Sequence, residues 1–156
     1  MLSLAYTSTG GPTNSGKTYQ ALQRLQQADP ELGGGLYCGP LRLLALEVYE
    51  SLNRNGIYCD LRTGQELREV PMATHVSSTL EMVNLNKEYD VVVIDEIQMI
   101  TDAQRGYAWT KTVLGIQANE IHVCGGLEAF EIVQTLMEQT QDDFELCKYE
   151  RMSNLV

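Results

Sequence analysis

Along the chain the apolar positions change spacing again and again. Unbroken or alternating short runs give way to stripes recurring every three or four residues, and that predicts strands separated by helices. Strands are predicted at 2–8 (LSLAYTS), 36–39 (LYCG), 57–62, 74–78 (THVSS), 89–96 (YDVVVIDE), 120–125 (EIHVCG) and 144–150 (FELCKYE). A first helix is predicted from Gly16 to about Ala28, with Tyr19, Leu22 and Leu25 on one face. A second carries Leu41, Leu44, Ala45, Val48 and Leu52 on one stripe and is closed by Asn55-Gly56, glycine being the usual residue after a helix end. A short helix follows the 74–78 strand, and two more are predicted at roughly 102–116 and 127–139, the last with Leu127, Phe130, Val133 and Met137. DPELGGG at 29–35 reads as a turn-rich break, and the stretch through Pro71 as less regular.

The run at 91–94 is apolar without alternation. That is the signature of a central parallel strand covered on both faces. Strands joined by helices of this length predict an α/β domain, a parallel sheet with right-handed crossovers and helices on both faces. One such domain accounts for residues 1–156.

Composition narrows the class. A chain of 156 residues with 44% hydrophobic and 21% charged residues is long enough to bury one core and is not a disordered chain. No apolar run approaches bilayer length, so a membrane-spanning role is not expected. The N-terminal stretch lacks a basic or Arg-rich character, so no signal or transit peptide is expected. Cys38, Cys59, Cys124 and Cys147 are scattered without a C-x-x-C pair, which argues against zinc and for reduced, buried thiols. The net charge is −10. Eight of the 21 acidic residues, but two of the 11 basic ones, fall in residues 119–156. Bulk electrostatics therefore disfavour nucleic acid, and such a partner must be met by a local patch or another domain.

Two short tracts carry the chemistry. Gly11-Pro12-Thr13-Asn14-Ser15-Gly16-Lys17-Thr18 fits G-x-x-x-x-G-K-[ST]. Its glycines let successive N–H groups turn inward toward phosphate oxygens, and the helix that follows adds its positive end. Lys17 is expected to reach the β- and γ-phosphates, and Thr18 to ligate Mg2+. The second tract, VVVIDEIQ, delivers Asp95 and Glu96 at the end of a buried strand, where open α/β sheets bind ligands. Asp95 is expected to hold Mg2+, usually through water, and Glu96 to polarise the attacking water. Together the tracts predict a Mg-nucleoside triphosphate site.

Gln98 completes a DEIQ box. The tracts GPTNSGKTY, YCGPLRLLALEVYE, CDLRTGQE, HVSSTLEM, YDVVVIDEIQMI, RGYAWTKTVLG and HVCGG together resemble the first RecA-like lobe of the mitochondrial RNA-degradosome helicases, the Suv-three type of superfamily 2. The resemblance runs from about Gly11 to Leu155. It implies a RecA-like P-loop NTPase fold and a DExH-box ATP-dependent RNA helicase, acting in mitochondrial RNA turnover with ATP and Mg2+. Lys17, Asp95, Glu96 and Gln98 are then the catalytic set, with Gln98 sensing nucleotide state. Pro40, Leu41 and Arg42, then Thr63-Gly64, then Ser78-Thr79, match tracts that contact the nucleic-acid backbone. The implied partners are RNA (single-stranded or duplex with an overhang), a second RecA-like lobe carrying an arginine finger, and an exoribonuclease. Cys124-Gly125-Gly126 stands where the broader superfamily has Ser-Ala-Thr, so no hydroxyl role is assigned there.

Plainer readings stand beside these. Pro40 suits the first turn of a helix, Arg42 a solvated helix position, and Thr63-Gly64 a turn. Trp109 shares a helical face with Val113 and Ile116 and reads as core. His75 and His122 read as structural. Two other functions stay open at this point. One is a thymidine-kinase-like phosphotransferase, which also pairs such a loop with a DE-x-Q strand end. The other is a nucleotide-binding domain without turnover.

Overall fold

The computed structural model describes residues 2–7, 16–95, 115–124 and 144–149, the segments 2–7, 16–20 and 144–149 as backbone course. Eight strands form one sheet: β1 Leu2–Thr7, β2 Gly35–Gly39, β3 Cys59–Arg62, β4 Leu67–Arg68, β5 His75–Thr79, β6 Glu88–Ile94, β7 Gln117–Val123 and β8 Phe144–Tyr149. Two α-helices are described, α1 Gly16–Gln26 and α2 Arg42–Arg54. The sheet order is β4-β3-β5-β2-β6-β7-β1-β8, parallel throughout except for the antiparallel β3–β4 pair. The predicted helices at 102–116, apart from Gly115 and Ile116, and at 127–139 lie outside the described residues, as does Trp109. Among the described residues no helix is long and apolar enough to cross a membrane.

β6 is buried on both faces. Val91 and Val93 join Tyr37, Cys59 and Leu61 beneath α1 and α2, which contribute Ala21, Leu25, Ala45, Val48 and Leu52. Val92 and Ile94 point the other way, into a cluster with Leu36, Cys38, Leu80, Ile121 and Val123. The absence of alternation is thus explained by two cores, one on each side of the strand.

α2 ends as its sequence requires. Gly56 takes φ +84; its N–H bonds the Asn53 carbonyl at 3.1 Å and the Ile57 N–H bonds that of Leu52 at 2.9 Å. This pair of bonds is a Schellman closure. It also shortens the expected 57–62 strand, because Ile57 belongs to the helix end and β3 begins at Cys59. At the other terminus, Leu41 is extended and 43% exposed. It precedes α2 and does not belong to the buried stripe. The less regular stretch before Pro71 contains β4, held to β3 by a turn at Thr63. There the Thr63 hydroxyl donates to the Glu66 carbonyl and accepts from the Gln65 and Glu66 amides.

Polar side chains tie the layers together. The Ser77 hydroxyl donates to the Ala45 carbonyl at 2.6 Å, joining β5 to α2. His75, 2% exposed, donates from Nε2 to the Leu25 carbonyl of α1 at 2.8 Å, while its Nδ1 accepts from Thr74 at 2.8 Å. Burial lowers its pKa below the ordinary 6.5, which keeps the ring neutral in this bonding pattern. His122 bonds Glu120, which also takes Arg24 of α1 at 3.0 Å. Both histidines are bonded within the fold. Cys38, Cys59 and Cys124 are buried; burial pushes the Cys59 thiol up to about 12.

Candidate nucleotide site

Because β1, β2, β3, β5, β6 and β7 run parallel, their C-terminal ends share one edge of the sheet. That edge is where an open α/β sheet presents loops to a ligand. β1 stops at Thr7 and α1 starts at Gly16, so the glycine-rich loop departs from this edge and returns into a helix. Gly16, Lys17 and Thr18 form the first turn of α1, whose leading N–H groups have no partner within the helix. Gly11, Pro12, Thr13, Asn14 and Ser15 lie outside the described residues, as do Glu96 and Gln98.

Asp95 follows the last residue of β6 and is 6% exposed. Its N–H bonds the Cys38 carbonyl at 2.9 Å, extending the ladder to β2. Its Oδ2 accepts a hydrogen bond from the Tyr37 hydroxyl at 2.8 Å. Tyr37 is paired with Val93 in the register of β2 and β6. Asp95 is therefore its diagonal neighbour on the same face, within reach of a long side chain. Burial first, then the Asp95 carboxylate, hold the Tyr37 hydroxyl well above its ordinary pKa, so it remains a donor. A cleft of about 180 Å3 between α1 and α2 leads to this pair, lined by Leu22, Gln26, Leu44 and Val48 among others.

The tracts expected to meet RNA gather at the same edge. Gly39 and Thr79 end neighbouring strands in register, and Arg62 pairs with Ser78. Pro40 leads into α2, Arg42 is its exposed first residue, and Gly64 is exposed after β3. The three hydroxyl residues are turned inward, however. Thr63 is 4% exposed and spent on its turn; Ser78 is fully buried and donates to the Thr79 carbonyl; Thr79 donates to Glu81. Each of these buried hydroxyls is satisfied within the fold.

Tyr37 is invisible to motif spacing. The signal available is a tyrosine inside an otherwise apolar buried strand, whose hydroxyl must find a partner. Which partner depends on the β2–β6 pairing.

The model for the DEXQ-box helicase domain of Suv3 matches residues 5–149. The chain belongs to this family. The match spans the loop, the DEIQ box and the intervening tracts, and it assigns them to a helicase domain, not a nucleoside phosphotransferase. Curated relatives are similar across nearly all of the chain. The rice "ATP-dependent RNA helicase SUV3L, mitochondrial" is 52% identical over 146 residues, 94% of this chain and 19% of that protein. The mouse "ATP-dependent RNA helicase SUPV3L1, mitochondrial" is 50% identical over 147 residues, 92% of this chain and 18% of the relative. The chain thus spans about a fifth of their length. Among solved structures, the helicase domain of Pyrococcus furiosus Hef superposes with a TM-score of 0.59 at 18% identity, covering 94% of this chain and 35% of that one. The SWI2/SNF2 ATPase core of Sulfolobus solfataricus, solved with double-stranded DNA, gives 0.55 at 12% identity, covering 97% and 41%. These two share the fold: the Suv3-family domain is a RecA-like helicase lobe.

Proposed function

We propose that this chain is the ATP-binding lobe of an ATP-dependent RNA helicase. It couples Mg-ATP hydrolysis to unwinding or translocation on RNA, in mitochondrial RNA turnover. The observation that carries this reading is that the end of β1, the strand that precedes the 11–18 tract, and Asp95 lie at one edge of the sheet, within a Suv3-family domain. The names of the rice and mouse relatives supply the RNA and the mitochondrion.

In this reading the amides from Gly11 to Gly16 cradle the phosphates, and Lys17 reaches the β- and γ-phosphates. The Thr18 hydroxyl and the buried Asp95 carboxylate are hard oxygen donors. They suit Mg2+, which binds through one or two protein oxygens plus phosphate and water. Bound Mg2+ supplies neutralisation of charge on the phosphate oxygens. Glu96 orients the attacking water, and Gln98 reports the nucleotide state to a second RecA-like lobe that supplies an arginine finger. RNA, single-stranded or duplex with an overhang, runs over Pro40, Arg42 and Gly64; in the tracts of Thr63, Ser78 and Thr79 it meets backbone. An exoribonuclease is the partner expected to consume the unwound strand.

The test is RNA-stimulated ATP turnover and strand separation by a protein carrying both lobes. Lys17→Ala is expected to abolish both, and Glu96→Gln to keep nucleotide binding while losing turnover. Binding without turnover in the unaltered protein, with Glu96→Gln making no difference, would favour a nucleotide-binding domain instead. Residues 1–156 alone are expected to turn over ATP poorly, since charge developing at the γ-phosphate lacks its second-lobe stabiliser. Robust RNA-stimulated turnover by these residues alone overturns the two-lobe requirement.

A further inference from the structure

We infer that Tyr37 is a positioning residue for the metal-binding carboxylate: its hydroxyl fixes Asp95 in the orientation that receives nucleotide-bound Mg2+. This inference rests on the Mg-ATP reading of Asp95. Tyr37 is 1% exposed and locked in the core under α1 and α2. Its hydroxyl, 2.8 Å from Asp95 Oδ2, is the donor, because an ionised carboxylate only accepts. The backbone of Asp95 is fixed by its bond to Cys38. The Tyr37 bond restrains the side chain by committing one carboxylate oxygen to the protein.

Gly39 completes the arrangement. It follows Tyr37 by two residues on β2 and so faces the same side. A Cβ at Gly39 would stand 3.3 Å from the Tyr37 hydroxyl oxygen and 3.6 Å from Asp95 Cβ. Glycine there supplies space, since no positive φ is required. Tyr37, Gly39 and Asp95 thus form one unit on the α1 side of the sheet: a donor, a gap and a carboxylate.

The experiment is a fluorescent-ADP titration of the full chain with and without Mg2+, alongside thermal unfolding. Tyr37→Phe keeps the ring and removes only the hydroxyl. It is expected to leave the metal-free nucleotide affinity within about twofold and to weaken the Mg2+-dependent gain by roughly tenfold, the scale of a hydrogen bond to a charged group. Displacement of Mn2+, followed by electron paramagnetic resonance, should move in step. A Mg2+ dependence unchanged in Tyr37→Phe overturns the proposal, as does an equal loss of metal-free and metal-bound affinity, which means a folding role. Gly39→Ala is the second variant and carries the test if Tyr37→Phe does not fold. It is expected to erode the Mg2+ gain in the same direction by a smaller factor, and an unchanged gain overturns the proposal. Asp95→Asn separates the two levels. If it keeps the full Mg2+ gain, the metal-site reading itself fails; if it loses the gain and Tyr37→Phe does not, only the positioning role fails.

Discussion

β6 carries a buried carboxylate at each end, and the two are built differently. Asp90, near its start and 7% exposed, accepts from the Asp29 N–H at 2.8 Å and from the Asn119 amide at 3.2 Å. It ties the turn after α1 and strand β7 to β6. Asp95, at the other end and 6% exposed, is held by a tyrosine hydroxyl at the edge where the parallel strands end. Burial alone does not distinguish a functional acid from a structural one. The two differ in the sheet edge they occupy and in their partners: Asp90 takes a turn amide and a β7 side chain, Asp95 a tyrosine hydroxyl of β2. The N-terminal edge is correspondingly tight. Gly33 and Gly34 have φ +110 and +71, and a Cβ on Gly34 would lie 1.7 Å from the Thr74 carbonyl oxygen.

The comparison predicts opposite mutational phenotypes at the two edges. The largest effect is expected at Gly34→Ala, where an impossible contact adds to left-handed strain. It should cost about 3 kcal/mol or more in chemical denaturation, and wild-type stability would refute the close approach. Next is Asp95→Asn in a two-lobe protein, expected to lower ATP turnover by about 100-fold while barely moving the melting temperature; a collapse in stability with turnover intact would erase the distinction between the edges. Asp90→Ala should do the reverse, costing about 1–3 kcal/mol as a backbone amide and Asn119 lose their acceptor, with nucleotide affinity unchanged in fluorescent-ADP titration. The smallest effect concerns His75. Its pKa is lowered in the fold, so unfolding takes up a proton once the pH falls below the ordinary value of 6.5, and stability falls from there until the folded ring itself titrates. Melting temperatures measured from pH 8 to 5 should show this decline, and His75→Gln should flatten it.

Much of this was legible where local chemistry and burial agree. The Ala45, Val48 and Leu52 stripe, the Gly56 stop and the doubly buried 91–94 run follow from spacing alone. Both mononucleotide tracts announce their residue types, and Asp95 stands at the strand end that the apolar run implies. What was not legible depends on long-range pairing. Leu41 looks like a core residue until its extended backbone sets it ahead of α2. The strand expected at 57 starts two residues later because the helix end claims Ile57. The hydroxyls of Thr63, Ser78 and Thr79 find their partners inside the fold, Thr63 in the turn after β3 and the other two at the end of β5. Tyr37 and Asp95 are separated by 58 positions and meet only through the β2–β6 register.

The two residues of β4 have a consequence for how the domain lives in solution. Without them β3 would be an open edge of the sheet, offering unpaired backbone groups to any passing strand. β4 runs against it for two residues only, carries an exposed Arg68 and leads within three residues to Pro71. Charge, brevity and proline make a poor template. The Thr63 turn that holds this short hairpin is therefore a safeguard against sheet-to-sheet association, and its loss should appear as aggregation before it appears as unfolding.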